Sequence, residues 1–388
     1  MQLKPIEQSF AVNFKYSLHF TNDVFESNNS LFAEVIKSYT PNEKVKLLFV
    51  VDDGVLKKHP ELIGSIKNYC LLHSSQLLFT ECLVIPGGEI AKNNYDNVDR
   101  IISAINNNAI CRHSFVIVIG GGAVIDVAGY AASVAHRGVK LIRIPTTVLS
   151  QNDAAIGVKN GINAYSKKNF IGTFAPPYAI LNDRNFLTSL GQRDWIAGVA
   201  EAIKVALIKD EFFFNTIKEN AIKLKERDMD AMLKTIYRCA EMHMEHIAKG
   251  GDPFESGSSR PLDFGHWSAH KLEQMSNYSL RHGEAVAKGI ALDLTYSQLV
   301  GFISVEILDE ILEVMADIGF DLSIPVSGGT EMQELLKGIQ EFREHLGGEL
   351  TITLINGIGQ KIDVHEIDME LMKNAVNSLN NKYKINVA

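Results

Sequence analysis

Short runs of apolar, β-branched residues alternate with helical stretches along the first half of the chain, and this alternation is the strongest constraint on its fold. The runs "KLLFVVDD", "LLFTECLVI", "SFVIVIGGG" and "VKLIRIPTT", which begin at residues 46, 77, 114 and 139, predict buried strands. Residues 57–74, 92–108 and 123–136 between them predict helices. Strands separated by helices form a parallel sheet that is covered on both faces. We therefore expect an α/β architecture that binds ligands at the carboxyl ends of its strands.

The second half of the chain has a different pattern of residues. After "YAILND" (178–183), long segments rich in Ala, Leu, Ile, Met, Glu and Lys repeat their apolar residues at helical spacing, and a Gly-rich stretch at 249–261 interrupts them. A chain of 388 residues also exceeds the size of one hydrophobic core. We predict two domains: a parallel-sheet domain at 1–184 and an α-helical domain at 185–388.

Composition excludes several classes of protein. With 46% hydrophobic and 22% charged residues, the chain fits neither a disordered nor a coiled-coil protein. Its net charge of −8 disfavours nucleic acid as a partner. The four cysteines show no CxxC spacing, which indicates reduced thiols. Since no run approaches the roughly 18 apolar residues that span a membrane, we expect a cytoplasmic protein without a membrane partner.

Three glycines, Gly120 to Gly122, directly follow a predicted strand and directly precede a predicted helix. Glycine has no side chain, so a pyrophosphate can approach the backbone N–H groups at the start of that helix. The GGG sequence differs from the GxGxxG dinucleotide fingerprint, and a tight turn without a ligand is the alternative. Asp52, at the end of an earlier strand, and Glu89 with Lys92 are candidate ribose and phosphate partners. These features predict a Rossmann-like nucleotide site.

Two further features place charged residues in unusual surroundings. Residues 146–174 are too polar for a core, and taken alone they favour a solvated loop; phosphate binding by Lys159 and Lys168 within them is the alternative. Glu201 and Lys204 lie one turn apart on a predicted helix that is otherwise apolar. Because a carboxylate buried alone is costly, Glu201 needs a partner. A surface ion pair between these two residues is the alternative.

The stretch "LDFGHWSAHKLE" (262–273) places His266 and His270 on one helical face, and "RHGEAVAKG" adds His282 before another helical run. Together with Glu201, His266 and His282 would make a set of two histidines and a carboxylate, as in catalytic zinc sites. The sequence has no HExxH motif, so these ligands must come from separate elements. A structural role for each histidine is the alternative.

Several motifs between about residues 45 and 300 form one set: "PGGE", "GGGAVIDVAG", "AHRG", "IPTTVLSQND", "SKKNFIGTF", "AEAIK", "DFGH" and "RHGEAVAKG". In this set the chain resembles the sugar phosphate cyclases of the 3-dehydroquinate synthase superfamily. The resemblance implies an NAD-binding α/β domain, a helical metal-binding domain and a homodimer. It also implies that a small sugar phosphate is the substrate.

The resemblance assigns roles to residues by position. A zinc ion, with Co²⁺ as an alternative, is expected at Glu201, His266 and His282. NAD is expected at Asp52, Glu89, Lys92, Gly120, Gly121, Gly122, Asp126, Thr146 and Thr147. Catalytic roles are expected for Lys159, Lys204, His270 and Asp153, and substrate binding for Lys168 and Asn169. Arg137 resembles the arginine that reaches the substrate phosphate from the partner subunit.

One region departs from the pattern of the dehydroquinate synthases. They generally have Asn within "LNxGH" where this chain has Asp263, and an Arg four residues earlier that holds the substrate carboxylate. Here that earlier position is Ser259, and Arg260 is displaced by one residue. Asp263 and Arg260 are still expected in the substrate pocket. Since Asp accepts hydrogen bonds from hydroxyls and repels a carboxylate, the change favours a substrate without a carboxylate.

The motifs "GGDPFE" and "RPLDFGHWSAHKLE" resemble the sedoheptulose 7-phosphate cyclases, chiefly the 2-epi-5-epi-valiolone synthases. The resemblance implies formation of a C7 cyclitol, 2-epi-5-epi-valiolone or an epimer, with release of phosphate. The implied steps are transient NAD-dependent oxidation, phosphate elimination, re-reduction and intramolecular aldol closure. One alternative is a 3-dehydroquinate synthase acting on 3-deoxy-arabino-heptulosonate 7-phosphate. Another is a metal-dependent polyol dehydrogenase.

Overall fold

A parallel sheet forms the N-terminal part of the computed structural model, which describes residues 5–41, 43–165, 167–254, 261–326 and 328–383. The strands are β1 (Ser17–Thr21), β2 (Val45–Asp52), β3 (Leu77–Ile85), β4 (Phe115–Gly120), β5 (Lys140–Pro145), β6 (Lys159–Ala164), β7 (Lys167–Phe174), β8 (Ala179–Asp183), β9 (Ile352–Gly357) and β10 (Gln360–Val364). Six of them pair in parallel in the order β1-β8-β5-β4-β2-β3. The predicted α/β sheet is confirmed, because the four apolar runs and "YAILND" form five of its strands.

Helices cover this sheet and make up most of the second half. They are α1 (Leu31–Tyr39), α2 (Asp53–Lys58), α3 (Leu62–Leu72), α4 (Asp96–Asn107), α5 (Gly122–Val134), α6 (Asn185–Thr188), α7 (Gln192–Ala197), α8 (Val199–Lys209), α9 (Glu211–Glu219), α10 (Ala221–Lys225), α11 (Met229–Lys249), α12 (His266–Met275), α13 (His282–Leu299), α14 (Val305–Ile318), α15 (Gly329–His345) and α16 (Met369–Tyr383). Single turns lie at Glu89–Lys92, Ala135–Arg137, Ser150–Ala154 and Pro261–Asp263. No helix in the described part of the chain is long and apolar enough to cross a membrane.

The central strands are buried on both faces because successive side chains point to opposite sides of a strand. Leu48 and Val50 of β2 pack in a layer with α4 and α5. Leu47 and Phe49 of the same strand pack in the opposite layer with α1 and α3. This two-sided burial explains why the strands appear in the sequence as continuous apolar runs.

A third core fills the helical part around α8 and α13. Every residue from Val199 to Ile208 of α8 is buried, so Glu201 and Lys204 lie inside the protein and do not form a surface ion pair. The antiparallel hairpin of β9 and β10 packs against this core, which is therefore not purely helical. Strand β8 ends at Asp183 and α6 begins at Asn185, next to the domain division at residue 184, which stays a prediction.

Residues 159–174, for which the sequence favoured a solvated loop, instead form the antiparallel hairpin β6–β7. Its polar residues are ordered by partners elsewhere in the chain. The buried Arg143 donates to Asn160 Oδ1 at 2.7 Å and to the Ala155 carbonyl oxygen at 2.8 Å. A Cβ at Gly129 of α5 would lie 1.8 Å from Asn160 Oδ1, so only glycine lets α5 approach the hairpin this closely. The hairpin is thereby held beside the start of α5.

Candidate active site

The three glycines lie between the sheet and the first turn of α5. Gly120 ends β4, and its carbonyl oxygen accepts a hydrogen bond from the Thr146 N–H at 3.0 Å. A Cβ at Gly122 would lie 3.0 Å from the Ala154 Cβ, so this loop packs directly against the turn Ser150–Ala154. The start of α5 therefore presents backbone N–H groups at the carboxyl edge of the sheet, between the ends of β5 and β2.

Asp52 closes this loop from the neighbouring strand β2. Its Oδ1 accepts a hydrogen bond from the Gly54 N–H at 2.8 Å, and a Cβ at Gly87 would lie 2.2 Å from the same oxygen. Burial raises the pKa of the Asp52 carboxyl, although backbone N–H groups oppose this shift. Thr147 approaches from the β5 side, 3.6 Å from where a Cβ of Gly121 would stand. The NAD-binding residues predicted on three adjacent strands thus meet at one edge of the sheet.

A second set of predicted NAD contacts joins α5 to the hairpin. Lys92 Nζ forms an ion pair with Asp126 Oδ2 at 2.7 Å and also contacts Asn169 Oδ1. Asn163 of β6 donates to Glu89 Oε1 at 2.9 Å, and its own Oδ1 accepts from the Asn169 N–H at 2.9 Å. These five side chains form one polar network. Asn163 is the member that sequence reasoning did not identify.

Three helices each contribute one side chain of metal-ligand type to a common point. Glu201 of α8 is fully buried, His266 is the first residue of α12, and His282 is the first residue of α13. Glu201 Oε1 lies 3.9 Å from His266 Nε2 and 3.6 Å from His282 Nε2. All three ligand atoms lie within 4.8 Å of one another. The structure therefore brings the predicted ligands together from separate elements.

Each of these imidazoles is oriented by a hydrogen bond at its other nitrogen. His266 Nδ1 lies 3.1 Å from the Phe264 carbonyl oxygen, and His282 Nδ1 lies 3.3 Å from Glu273 Oε2. Because these oxygens accept, each Nδ1 carries a proton, so Nε2 is the nitrogen of each ring that can bind a metal. Burial, and secondarily nearby positive charge, lowers the pKa of His266 well below its ordinary value. Neutral histidines oriented in this way are the form that binds metals.

Glu201 carries the observation that favours a bound cation. Its Oε2 meets the ammonium group of Lys204, whereas its Oε1 has no hydrogen-bond donor among the residues that the structure describes. An unsatisfied buried acceptor costs about 1–3 kcal/mol, and more when it is charged. The two Nε2 atoms that face this oxygen lie 3.9 and 3.6 Å away, beyond hydrogen-bond distance. One carboxylate oxygen and two imidazole nitrogens are the donor set of a zinc or cobalt ion, so these residues fit the predicted metal.

Lys204 is the cation shared by the acidic groups around this point. Burial lowers its pKa, but the carboxylates of Glu201, Asp153 and Asp263 outweigh burial and raise the pKa above its ordinary value. Asp153 Oδ1 also lies 3.0 Å from His243 Nδ1 on α11. Burial raises the pKa of Asp153, but Lys204 and His243 lower it to a greater extent. Lys204 is therefore a charged donor, and Asp153 is an ionised acceptor.

Lys168 reaches from the hairpin to α12. Its Nζ lies 2.8 Å from Glu273 Oε1, the oxygen opposite to the one that meets His282. The His270 ring lies 5.5 Å from the ring of His266 and 5.9 Å from that of His282. His270, Glu273 and His282 also have ligand atoms within 4.8 Å of one another. Both oxygens of Glu273 have partners, whereas Glu201 Oε1 has no hydrogen-bond donor among the described residues, so the group around Glu201 fits a cation better.

Three remaining predicted residues are exposed or lie outside the described part of the chain. Lys159, at the start of β6, is exposed. Arg137 is exposed in a turn with a left-handed φ of 64°, and its place in a partner's site stays a prediction. Arg260 and Ser259 lie outside the described residues.

Besides Asn163, two residues around the metal cluster, Glu273 and His243, were not predicted. Glu273 lies seven residues after His266 on α12, and that spacing places both side chains on one helical face. This spacing could have indicated it. His243 lies in the middle of the long helix α11, and no local pattern distinguishes it from an ordinary helical histidine.

We expect Glu273→Gln to weaken zinc binding by about 10–100-fold, the usual cost of losing an outer carboxylate partner of a ligating histidine. An amide that turns its NH₂ group to His282 Nδ1 cannot hold that ring in the required tautomer. Competition with a chromophoric chelator measures the dissociation constant. Glu284→Gln is the matched control, because Glu284 lies two residues after His282 but pairs with Arg193. Equal effects of the two substitutions would contradict the orienting role of Glu273.

Family models match the two parts of the chain in turn. The 3-dehydroquinate synthase N-terminal model matches residues 82–197, and the 3-dehydroquinate synthase C-terminal model matches residues 198–343. The chain belongs to the 3-dehydroquinate synthase family. The resemblance to this superfamily that the sequence indicated is thereby confirmed.

Curated members of the 3-dehydroquinate synthase family match most of the chain. The 3-dehydroquinate synthase of Vibrio atlanticus is 34% identical over 298 residues, which cover 76% of this chain and 81% of the relative. That of Dictyoglomus turgidum is 32% identical over 336 residues, which cover 80% of this chain and 93% of the relative.

Solved structures share this fold over nearly the whole length of the chain. The 2-epi-5-epi-valiolone synthase of Streptomyces hygroscopicus, with NAD⁺ and Zn²⁺ bound, has a TM-score of 0.86 at 26% identity and covers 97% of this chain and 100% of its own. A 2-deoxy-scyllo-inosose synthase with carbaglucose-6-phosphate, NAD⁺ and Co²⁺ has a TM-score of 0.77 at 21% identity, with 93% and 96% covered. The butanol dehydrogenase A of Thermotoga maritima has a TM-score of 0.66 at 15% identity, with 95% and 98% covered. The last two likenesses concern the fold alone.

Proposed function

We propose that this chain is an NAD- and zinc-dependent sugar phosphate cyclase that converts sedoheptulose 7-phosphate into a C7 cyclitol, 2-epi-5-epi-valiolone or an epimer, and releases phosphate. Family membership supports a cyclase of this superfamily. The likeness to a 2-epi-5-epi-valiolone synthase with NAD⁺ and Zn²⁺ bound supports the cofactors and favours this substrate. A cytoplasmic homodimer, with Arg137 reaching the partner's pocket, remains part of the proposal.

The residues that would hold the two cofactors lie on either side of the turn Ser150–Ala154. NAD would lie on the N–H groups that follow Gly120, and the metal would be held by Glu201, His266 and His282. When bound, NAD supplies reversible oxidation of a substrate hydroxyl, and the metal supplies Lewis-acid polarisation of neighbouring oxygens. Asp153 in that turn lies close enough to Lys204 for each to shift the pKa of the other, so the turn links the two sites.

The charged state of each side chain limits what it can do to the substrate. Lys204 stays protonated at neutral pH, so it binds and polarises oxygens and is not a base. Asp153, ionised and held by His243, accepts hydrogen bonds from sugar hydroxyls. Lys168 is cationic and faces the cluster from the hairpin, where it can hold the phosphate. His270, whose ring lies 5.5 Å and 5.9 Å from the rings of the two ligand histidines, is placed for proton transfer beside the metal.

The position of Asp263 is the observation that favours sedoheptulose 7-phosphate over a carboxylated substrate. Its charge helps to raise the pKa of Lys204, so its carboxylate lies near the lysine that pairs with Glu201. A substrate carboxylate entering here would meet a like charge, whereas a hydroxyl would meet an acceptor. The second candidate is a 3-dehydroquinate synthase, which the names of the curated relatives favour.

Turnover of two substrates separates these candidates. Purified enzyme is given sedoheptulose 7-phosphate or 3-deoxy-arabino-heptulosonate 7-phosphate, and released phosphate is measured. We expect release with the first only, while NADH absorbance stays flat because the cofactor is restored in each turnover. NMR of the product identifies the epimer. Phosphate release from the second substrate alone would refute the proposed substrate, and steady accumulation of NADH would indicate a dehydrogenase.

Asp263→Asn is expected to shift the preference toward the carboxylated substrate. Removing one negative charge relieves the repulsion of the substrate carboxylate. We expect the ratio of the two kcat/KM values to change by about tenfold in favour of the carboxylated substrate. The ratio is measured from phosphate release with both substrates. Asp230→Asn is a suitable control, because it removes the same charge at an exposed position in the first turn of α11. An unchanged ratio in Asp263→Asn would mean that this carboxylate does not select the substrate.

A further inference from the structure

Asp293 is a buried carboxylate in the middle of α13 that holds the start of α12. Its side chain is fully buried. Oδ1 accepts a hydrogen bond from Trp267 Nε1 at 2.8 Å, and Oδ2 accepts one from the Gly265 N–H at 3.0 Å. These two donors belong to the residues on either side of His266. One carboxylate therefore fixes the backbone before this metal ligand and the side chain after it.

A buried carboxylate of this kind lowers the stability of the fold. No ion pair among the described residues balances the charge of Asp293, and burial raises the pKa of its carboxyl to about 7. An apolar side chain in the same place would avoid the cost of removing a carboxylate from water. The hydrogen bonds of Asp293 thus have a consequence other than stability.

The two helices meet backbone to backbone at this point. Gly265 has a left-handed φ of 78°, and a Cβ there would lie 2.7 Å from the Ile290 N. A Cβ at Gly289 would lie 2.0 Å from the Gly265 carbonyl oxygen. Glycine at both positions lets α12 begin in direct contact with α13. Asp293, one turn beyond Gly289, then fixes how α12 is placed along that surface.

The same helix carries the other histidine ligand. His282 is the first residue of α13, and Asp293 follows it by eleven residues, which is about three helical turns, so both side chains lie on one side of the helix. Helix α13 thus supplies His282 directly and holds the segment that contains His266. The separation of the two ligands depends on this one contact surface.

We propose that Asp293 is a positioning residue for the metal site, which sets the place of His266 relative to His282 by holding Gly265 and Trp267. This inference rests on the proposed function, in that Glu201, His266 and His282 bind the metal. A carboxylate is required because both of its oxygens accept hydrogen bonds. Asn offers one acceptor and would turn its NH₂ group toward a donor, and Leu offers none.

Zinc binding to the full-length protein tests this role. Metal is removed with a chelator, and the zinc dissociation constant is measured by competition with a chromophoric chelator. We expect Asp293→Leu to weaken zinc binding by about tenfold or more, and Asp293→Asn by a smaller factor, in the range known for outer partners of metal ligands. Trp267→Phe, which removes one of the two hydrogen bonds and keeps an aromatic ring, should also weaken it.

Thr295→Val is the matched control. Thr295 is buried in the same helix two residues later, but its hydroxyl donates to the Ala291 carbonyl oxygen of its own helix at 2.8 Å. Its effect on zinc binding should stay within about twofold, as for sites that share no partner. Urea unfolding of the metal-free variants shows how much stability each substitution costs, so that a general loss of stability is recognised.

A spectroscopic readout follows from the two tryptophans of the chain. In a Trp195→Phe background, Trp267 is the single tryptophan, and its emission should respond to zinc in the parent protein but not in Asp293→Leu. If Asp293→Leu fails to fold, the zinc affinities of Asp293→Asn and Trp267→Phe test the proposal in its place. Zinc affinities of Asp293→Asn and Trp267→Phe that equal the parent's would overturn the inference and leave the ligand assignment intact. Failure of the parent to bind zinc would overturn the ligand assignment and this inference with it.

Discussion

Glu201→Gln is expected to lose bound metal and to reduce kcat by more than about 100-fold. This effect exceeds the roughly 10–100-fold loss of metal affinity or activity that follows when a hydrogen-bond partner of a metal ligand is removed. Glu201 Oε1 is the buried atom that faces both Nε2 atoms. A glutamine can present an NH₂ group there and supplies no negative charge to balance a divalent cation. Metal content by elemental analysis and phosphate release on the same sample measure the two effects.

The control for this substitution is Glu245→Gln, since Glu245 is exposed and pairs with Lys249 at the surface. It should keep its metal and its activity. Added zinc at high concentration should restore part of the lost activity if Glu201 acts through the metal. A Glu201→Gln enzyme with a full complement of metal and undiminished turnover would refute the ligand assignment.

Lys204→Met is expected to destabilise the metal-free protein by about 3 kcal/mol, at the lower end of the cost of breaking a buried ion pair. The substitution leaves the carboxylates of Glu201, Asp153 and Asp263 without their common cation. The cost is at the lower end because burial raises the pKa of Glu201, so that this group can take up a proton. Urea unfolding in the presence of a chelator measures the loss.

Zinc should recover much of this loss, because a bound cation replaces the missing charge and binds the folded state alone. Lys288→Met separates this effect from general destabilisation. Lys288 is also buried, but it pairs with Asp321 and two carbonyl oxygens away from the site. The loss of unfolding free energy in Lys288→Met should be the same with and without zinc. If zinc stabilises both variants equally, Lys204 is not the counter-charge of the metal-binding carboxylates.

The sheet could be predicted from the sequence because its strands are buried on both faces. Val116 to Ile119 of β4 are all buried, and such a run has few other interpretations when a helical stretch follows it. Strand β1 could not be predicted in this way. Its five residues, "SLHFT", lie half exposed at the edge of the sheet and pair only with β8. This strand forms because it pairs with β8, which lies far from it in the sequence.

The hairpin was missed for a related reason. Its order depends on Arg143, which is fully buried, and on the close approach of Gly129. Polar residues that are satisfied by distant partners look the same in a sequence as polar residues that are satisfied by water.

The proposed metal ligands could be predicted from the sequence because each had a local signal. Glu201 is a carboxylate in an apolar helix, and His266 and His282 precede helical runs. Glu273 and His243 act through contacts that span much of the chain. Lys168 and Glu273 are 105 residues apart, and Asp153 meets His243 across three intervening strands and several helices. Composition and spacing cannot reveal such pairs.

The ion pair between Lys168 and Glu273 has a mechanical consequence. Lys168 belongs to the hairpin beside the sheet, whereas Glu273 belongs to a helix of the other half, and its side chain is 4% exposed. If the hairpin moved away, the Glu273 carboxylate would stay buried without the positive charge of Lys168. Leaving a buried charge unpaired in this way strongly destabilises the protein. The pair therefore favours the arrangement in which the hairpin lies against α12. In the proposed reaction, a substrate phosphate that binds Lys168 would compete with Glu273 for the same ammonium group.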